Sequence, residues 1–323
     1  MRAASRPGAA QARGYALAVC AAAFLSTTAI FIRYLSQTYG IPSMVLALWR
    51  DAFVVLTLVP AFALARPSLL RVDRRSLPYL AAFGLVLSLF NALWTLSVAL
   101  NGAAVATVLV YSSGAFTAIL GRLLLKERLG GAKIAAVVLS LGGCALVAGV
   151  AAPGSWRGNA LGVATGVIGG LAYAGYSLMG RSAAERGLDP WTTLLYTFGF
   201  AAFYLFLVDL APGLDLTGFA RSPKDIVWLG TIWKGWLILF LLAAVPTVGG
   251  FGLLNMSLTV LPSSVASLVV SLEPVFTTAT AYVLLGERLT PAQLCGAAMI
   301  LGGVVVLRAF EGSTSGAGAS LRS

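Results

Sequence analysis

Leu125-Lys126-Glu127-Arg128-Leu129 and Leu285-Gly286-Glu287-Arg288-Leu289 stand 160 residues apart in a chain of 323. The same ungapped offset aligns Phe116-Thr117 with Phe276-Thr277 and Leu141-Gly142-Gly143 with Leu301-Gly302-Gly303. Between positions 97 and 143, 15 of 47 residues are identical to those 160 further on. Low complexity inflates matches of Ala and Leu, but it does not align a Glu-Arg-Leu. Earlier in each half an offset of 148 places Arg33 on Arg181 and Pro42 on Pro190. The difference of 12 is an insertion in the loop between the seventh and eighth apolar segments, where Pro212 to Lys224 lies. The chain is built from two copies of one unit.

Working outward, the copies are too apolar for water. Apolar residues make up 59% of the chain and charged residues 10%, against about 25% charged in a typical globular protein. A hydrocarbon core about 30 Å thick needs about 20 apolar residues in a helix. Ten segments meet or approach that length: 14–32, 41–65, 77–98, 103–123, 131–150, 159–179, 190–208, 237–258, 262–285 and 291–307. The first follows Arg2, Arg6 and Arg13 as in a signal peptide, yet its uncharged run from Gly14 to Ile32 is long for one. A retained helix is expected.

The predicted fold is therefore an all-α membrane protein of ten transmembrane helices. The first five-helix repeat occupies 1–150, the second 159–307, and 308–323 form a tail. Five is odd, so the second copy enters the membrane from the opposite side. Counting Lys and Arg agrees. With the N-terminus in the cytoplasm, 15 fall inside, six outside (Arg33, Arg157, Arg221, Lys224, Lys234 and Arg288), and Arg50 within a span. Both termini are expected in the cytoplasm. Glu127 is then inside and Glu287 outside. The net charge of +11 is topological on this reading, and no nucleic-acid partner is expected. Inverted repeats are a hallmark of secondary transporters, with substrate held near the midplane between the halves around a central cavity.

Several chemistries are excluded. There is no histidine, which removes Ser-His hydrolases, His-liganded metals and His proton relays. Cys20, Cys144 and Cys295 each stand alone in apolar sequence, without disulfide or metal-ligand spacing. No metal or cofactor is expected, the spans hold no credible set of catalytic groups, and no enzyme activity is expected.

Ala103-Ala104-Val105-Ala106 through Leu125-Lys126-Glu127-Arg128-Leu129 resembles half of a paired signature. Pro262-Ser263-Ser264-Val265-Ala266 through Glu273-Pro274-Val275-Phe276 to Gly286-Glu287-Arg288-Leu289 resembles the other half. The signature is that of the EamA-type drug/metabolite transporter superfamily, and the resemblance runs from about Gly14 to Leu307. The first copy departs in having Gly114 where the family often carries proline, which puts the kink of span four in question. In length and general pattern the chain is most similar to bacterial exporters of aromatic amino acids. The resemblance implies a cavity walled mostly by spans three, four, eight and nine.

Three ionisable residues lie well inside spans: Arg50, Asp51 and Glu273. A lone charge there costs about 2.5–3.5 kcal/mol on insertion scales, so each needs a partner or water. Arg50 and Asp51 read either as a packing ion pair within the first half or as a substrate contact. Glu273 precedes Pro274, which removes a backbone donor and bends a helix. It reads either as a protonated acid serving freed backbone groups or as a coupling or substrate-amine site. Glu127-Arg128 and Glu287-Arg288 are expected to fix the turn to the next helix. Candidate cavity-lining residues are Ser88, Asn91, Trp94 and Thr95 on span three and Thr107 and Tyr111 on span four. Tyr173, Tyr176 and Ser177 on span six and Ser267 and Ser271 on span nine complete the set. Aromatic and small polar groups with few charges suit a neutral or zwitterionic solute such as an amino acid, met from within the lipid bilayer of a bacterial inner membrane. Without an ATP-binding loop, transport is expected to be secondary or facilitative export by alternating access, for which a monomer suffices. Proton-coupled export of cationic or lipophilic drugs is the alternative, with Glu273 as the binding acid.

Overall fold

The computed structural model describes residues 7–125, 131–147, 156–210, 217–261, 266 and 269–320. Among them there is no strand, and the regular structure is helical throughout. The first copy contains α1 (Pro7–Tyr39), α2 (Ser43–Ala65), α3 (Leu77–Asn101), α4 (Ala103–Val110), α5 (Ser113–Leu125) and α6 (Gly131–Val147). The second contains α7 (Trp156–Glu185), α8 (Pro190–Leu210), α9 (Trp233–Leu242), α10 (Gly250–Leu258), α11 (Glu273–Leu285) and α12 (Pro291–Ser320). A π-helical stretch, Ala243–Gly249, joins α9 to α10 around Pro246.

Local sequence explains where the helices begin. Asp189 Oδ1 accepts from the amides of Trp191 and Thr192, and Pro190 occupies the first turn of α8, where no amide is needed. At α12, Thr290 and Gln293 form a reciprocal capping pair (2.9 and 3.3 Å) around Pro291. Gly102 turns the chain between α3 and α4 at φ +89°, which a side chain rarely adopts.

Seven segments among the described residues are long and apolar enough to cross a membrane. Ile134–Val147 and Pro291–Val306 are shorter apolar helices, and the span expected at 262–285 is described only in part. The burial pattern suits lipid outside. Leu64 is 89% exposed and Val283 75%, whereas Arg50, Asp51, Asn91, Thr95 and Thr197 are buried. Polar groups inside and large apolar groups outside reverse the soluble arrangement.

Mated helices of the two copies run antiparallel. Gly143 of α6 lies against Gly296 and Ile300 of α12, while Gly303 lies against Ala136 and Ser140. The two contacts are images of one another at the 160-residue offset, which places Gly143 on Gly303 and Ala136 on Gly296. A Cβ on either Gly143 or Gly296 would stand 2.5–2.6 Å from the other's carbonyl oxygen, so glycine is what lets these backbones meet. In α2 and α8, Phe62 meets Trp191 at one end and Leu48 packs in one cluster with Leu205 at the other. In the third pair, α4 begins at Glu287 and ends at Val270. Three mated pairs running head to tail place one copy upside down against the other. Glu127-Arg128 lies outside the described residues.

Candidate functional site

Spans four and nine are both interrupted at equivalent places. Span four breaks at Tyr111 and Ser112, where amides turn to the tighter pattern: Ser112 N to Leu109 O (3.1 Å) and Ala115 N to Ser112 O (2.9 Å). Span nine breaks at Ser271 and Leu272, with Leu272 N to Val269 O (3.1 Å) and Val275 N to Leu272 O (2.9 Å). Gly114 and Pro274 both sit just after their breaks, in the first turns of α5 and α11. The kink of span four thus forms without proline. Span nine differs from expectation in that its turn precedes Pro274.

The two breaks touch. Pro274 has no amide, so the carbonyl four residues back, Val270 O, loses its helical donor. Tyr111 Oη reaches that carbonyl at 3.3 Å and Glu273 Oε2 at 3.0 Å. A residue of the first copy therefore serves the backbone freed in the second, and Glu273 bonds to it rather than to the backbone directly. Ser271 is buried at the turn. Ser267 lies outside the described residues.

Arg50 and Asp51 are a buried ion pair. Both Arg50 Nε and Nη2 stand 3.2 Å from Asp51 Oδ1, and the side chains are 3% and 0% exposed. Asn91 Nδ2 donates to both Asp51 oxygens (2.9 and 2.7 Å), so α3 supplies the donors that α2's carboxylate needs. Helix geometry separates neighbours by about 100°, yet the long Arg50 side chain folds back to its neighbour and over the ring of Trp94 (5.7 Å).

From Trp94 a ladder of rings runs down α3 and α7. Trp94 stacks on Phe90 (5.9 Å), Phe90 meets Tyr173 (4.9 Å), Tyr173 stacks on Tyr176 (6.0 Å), and Tyr176 meets Phe83 (4.9 Å). Phe83 and Tyr176 also line a cavity of about 170 Å³, with Thr193, Phe251 and Asn255. Rings, charge pair and cavity thus form one continuous run between α2, α3, α7 and α8. The remaining candidates are less connected. Ser88 bonds back to Leu85 O (2.8 Å) within its own helix. Thr95 and Thr107 are buried with hydroxyls that meet no partner among the described residues. Ser177 is exposed and bonds to Tyr173 O (2.9 Å), apart from the cluster.

The end of the molecule away from the cavity carries residues that the sequence reading assigned to turns or passed over. Glu287 does not serve the turn to α12 with its carboxylate. Its oxygens accept from Ala103 N (3.0 Å) and Ala104 N (3.1 Å), the first amides of α4, and Oε1 stands 3.3 Å from Arg33 Nε. Arg288 lies over Tyr282 (5.8 Å). Above the same end, Trp49 donates to Ile226 O (2.6 Å) and Trp228 to Tyr39 O (2.8 Å), pinning the segment between α8 and α9. Arg33 and Glu287 have charged mates in the other copy, Arg181 and Glu127. That repetition was the available signal. Among the described residues no group of three His, Cys, Asp or Glu side chains could hold a metal.

Inverted helical copies with a polar interior and a lipid-facing exterior define a multi-pass membrane transporter class. The profile of the EamA-like transporter family matches the chain twice, over residues 12–149 and 160–309, and the chain belongs to that family. Its members are membrane transporters of small metabolites. An uncharacterized transporter of Archaeoglobus fulgidus is 28% identical over 145 residues, 45% of this chain and 47% of that protein. The match thus spans about half the length of this curated relative. A protein of known crystal structure is similar in fold, with a TM-score of 0.55 at 17% identity, covering 94% of this chain and 98% of the other.

Proposed function

We propose that the chain exports small metabolites, amino acids above all and aromatic or apolar ones among them, by secondary or facilitative alternating access. In this reading ten spans, in two five-span units at 1–150 and 159–307, cross a bacterial inner membrane with both termini and the 308–323 tail in the cytoplasm. The carrying observation is the ring ladder from the cavity at Phe83 and Tyr176 to the Arg50–Asp51–Asn91 group. Rings accept varied apolar side chains with little specificity, and the polar group beyond them offers both signs of charge to a zwitterion. Purified protein in liposomes, loaded with unlabelled amino acid, should accumulate the radiolabelled one by counterflow. Flux that rises in proportion to gradient without saturating would instead indicate a channel.

A second reading, proton-coupled export of cationic or lipophilic drugs, draws on the Tyr111–Glu273 contact between the two breaks. Its test is uptake as a function of pH in Glu273→Gln. Unchanged pH dependence and affinity would remove Glu273 from coupling and from cation binding.

A further inference from the structure

The carboxylate of Glu287 accepts from the first two amides of α4, and it gathers parts of both copies at one point. Arg33 of α1 pairs with it and donates to Ala99 O and, at 3.4 Å, to Val98 O, the closing carbonyls of α3. With the Gln37 amide turned over, the orientation that satisfies both of its ends, its oxygen accepts from Arg33 Nη2 (3.1 Å) and Nε (3.0 Å). Charge matches backbone polarity on both sides of the α3–α4 break: a cation at the carbonyl end of one helix, an anion at the amide end of the next. Gly102 belongs to the same fit, because a Cβ there would lie 2.7 Å from Glu287 Oε1.

Two properties separate this tie from a permanent brace. Both partners are partly exposed, 20% for Arg33 and 17% for Glu287, so water stands ready to solvate them on separation. Every bond in the tie is polar and small in number, whereas the neighbouring α6–α12 contact interlocks backbones around glycines. A charge-assisted contact reforms without repacking a core.

We propose that the Arg33–Glu287 tie on α4 is a latch. It holds closed the end of the transport path opposite the Phe83–Tyr176 cavity, and it parts when that end opens. The two sites lie about 24 Å apart along α3, from Phe83 to Ala99 at 1.5 Å per residue. The latch rests on the alternating-access reading above, and it adds the residues that close one end.

The test uses full-length protein in liposomes with Cys20, Cys144 and Cys295 replaced by serine. Ala103→Cys with Glu287→Cys places thiols where the tie is made. Oxidation should cross-link the pair and abolish amino acid counterflow, and dithiothreitol should restore it. Complete cross-linking with undiminished counterflow overturns the latch, and so does a folded pair that never cross-links. A second arm needs no substrate. Thr107→Cys, buried one turn into α4, is labelled with a hydrophilic maleimide supplied to both faces. Labelling should rise about tenfold on adding Glu287→Gln, the scale of a lost charged hydrogen bond. Equal labelling in folded protein overturns the latch. If the unmodified protein carries no amino acid, the substrate reading fails, and the labelling arm still decides the latch by itself.

Discussion

In the first copy the break of span four is followed by Ser113 and Gly114; in the second, the break of span nine is followed by Glu273 and Pro274. The backbone does nearly the same thing in both places. One depth further along, the inequality reverses. Arg50 and Asp51 of the first copy have Phe198 and Gly199 as mates at the offset of 148, and Asn91 has Phe251 at the offset of 160. Each copy therefore keeps an acid where the other has none. The scaffold is a property of the repeat, and the chemistry is a property of one copy at a time. A symmetric frame can rock between mirrored states, while the polar groups inside it differ from one copy to the other.

The largest effect should come from the pair that only the first copy owns. Asp51→Leu strands a buried guanidinium, and a loss of about 3–5 kcal/mol is expected. Thermal melting in detergent, followed by size-exclusion chromatography, measures it. Arg50→Leu with Asp51→Leu should recover most of that loss, as Phe198 and Gly199 at the mated positions imply; a double variant as weak as the single one would break the comparison.

Next comes Arg33→Gln, which removes the cation from Glu287 and from the α3 carbonyls. About 1.5–3 kcal/mol should disappear, the range for hydrogen bonds to charged groups. The same melting assay on Arg33→Lys should show only partial rescue, because one ammonium cannot follow the guanidinium's forked geometry.

Tyr111→Phe sharpens the contrast between the breaks. It leaves Val270 O without its partner and should cost about 1–3 kcal/mol. Pro274→Ala supplies an amide to the same carbonyl, so the combined variant should lose less than the sum of the single ones. Additive losses in that cycle would mean that tyrosine and proline are unconnected.

The smallest effect belongs to the second copy's surface. Glu185 pairs with Arg181 at 3.1 Å, both more than 60% exposed. Glu185→Ala should change the melting free energy by less than about 0.5 kcal/mol. A loss as large as that of Arg33→Gln would show that the mated arginines carry equal weight.

Much of the frame was legible beforehand. The 160-residue offset pointed to mated spans, and the antiparallel contacts of Gly143 with Gly296 and of Gly303 with Ala136 agree with an inverted pair. Asn91 shares a face of span three with Ser88 and Thr95 by spacing, with Trp94 beside it, and Asn91 and Trp94 both meet the charge pair. Ser177 was grouped with Tyr173 by spacing, but its hydroxyl turns back to the backbone of an exposed face. Spacing tells which residues share a stripe, and helix rotation tells what the stripe looks at. Glu287 was read as a local turn residue because its nearest sequence neighbours end α11. Its actual partners, Arg33 and Ala103, stand 254 and 184 positions away.

From the order of residues alone come the lipid-facing helices, their duplication at the 160-residue offset and the expectation that the second copy is inverted. Those follow from the bilayer, which rewards any run of apolar residues long enough and does not ask about neighbours. Folding in three dimensions decided that Asp51 finds Asn91, that Tyr111 finds Val270 and that Glu287 finds α4. Such meetings depend on how far each helix slides and turns against the next, and a nearly uniform apolar helix surface leaves that to side-chain packing and to the few polar groups that must be satisfied.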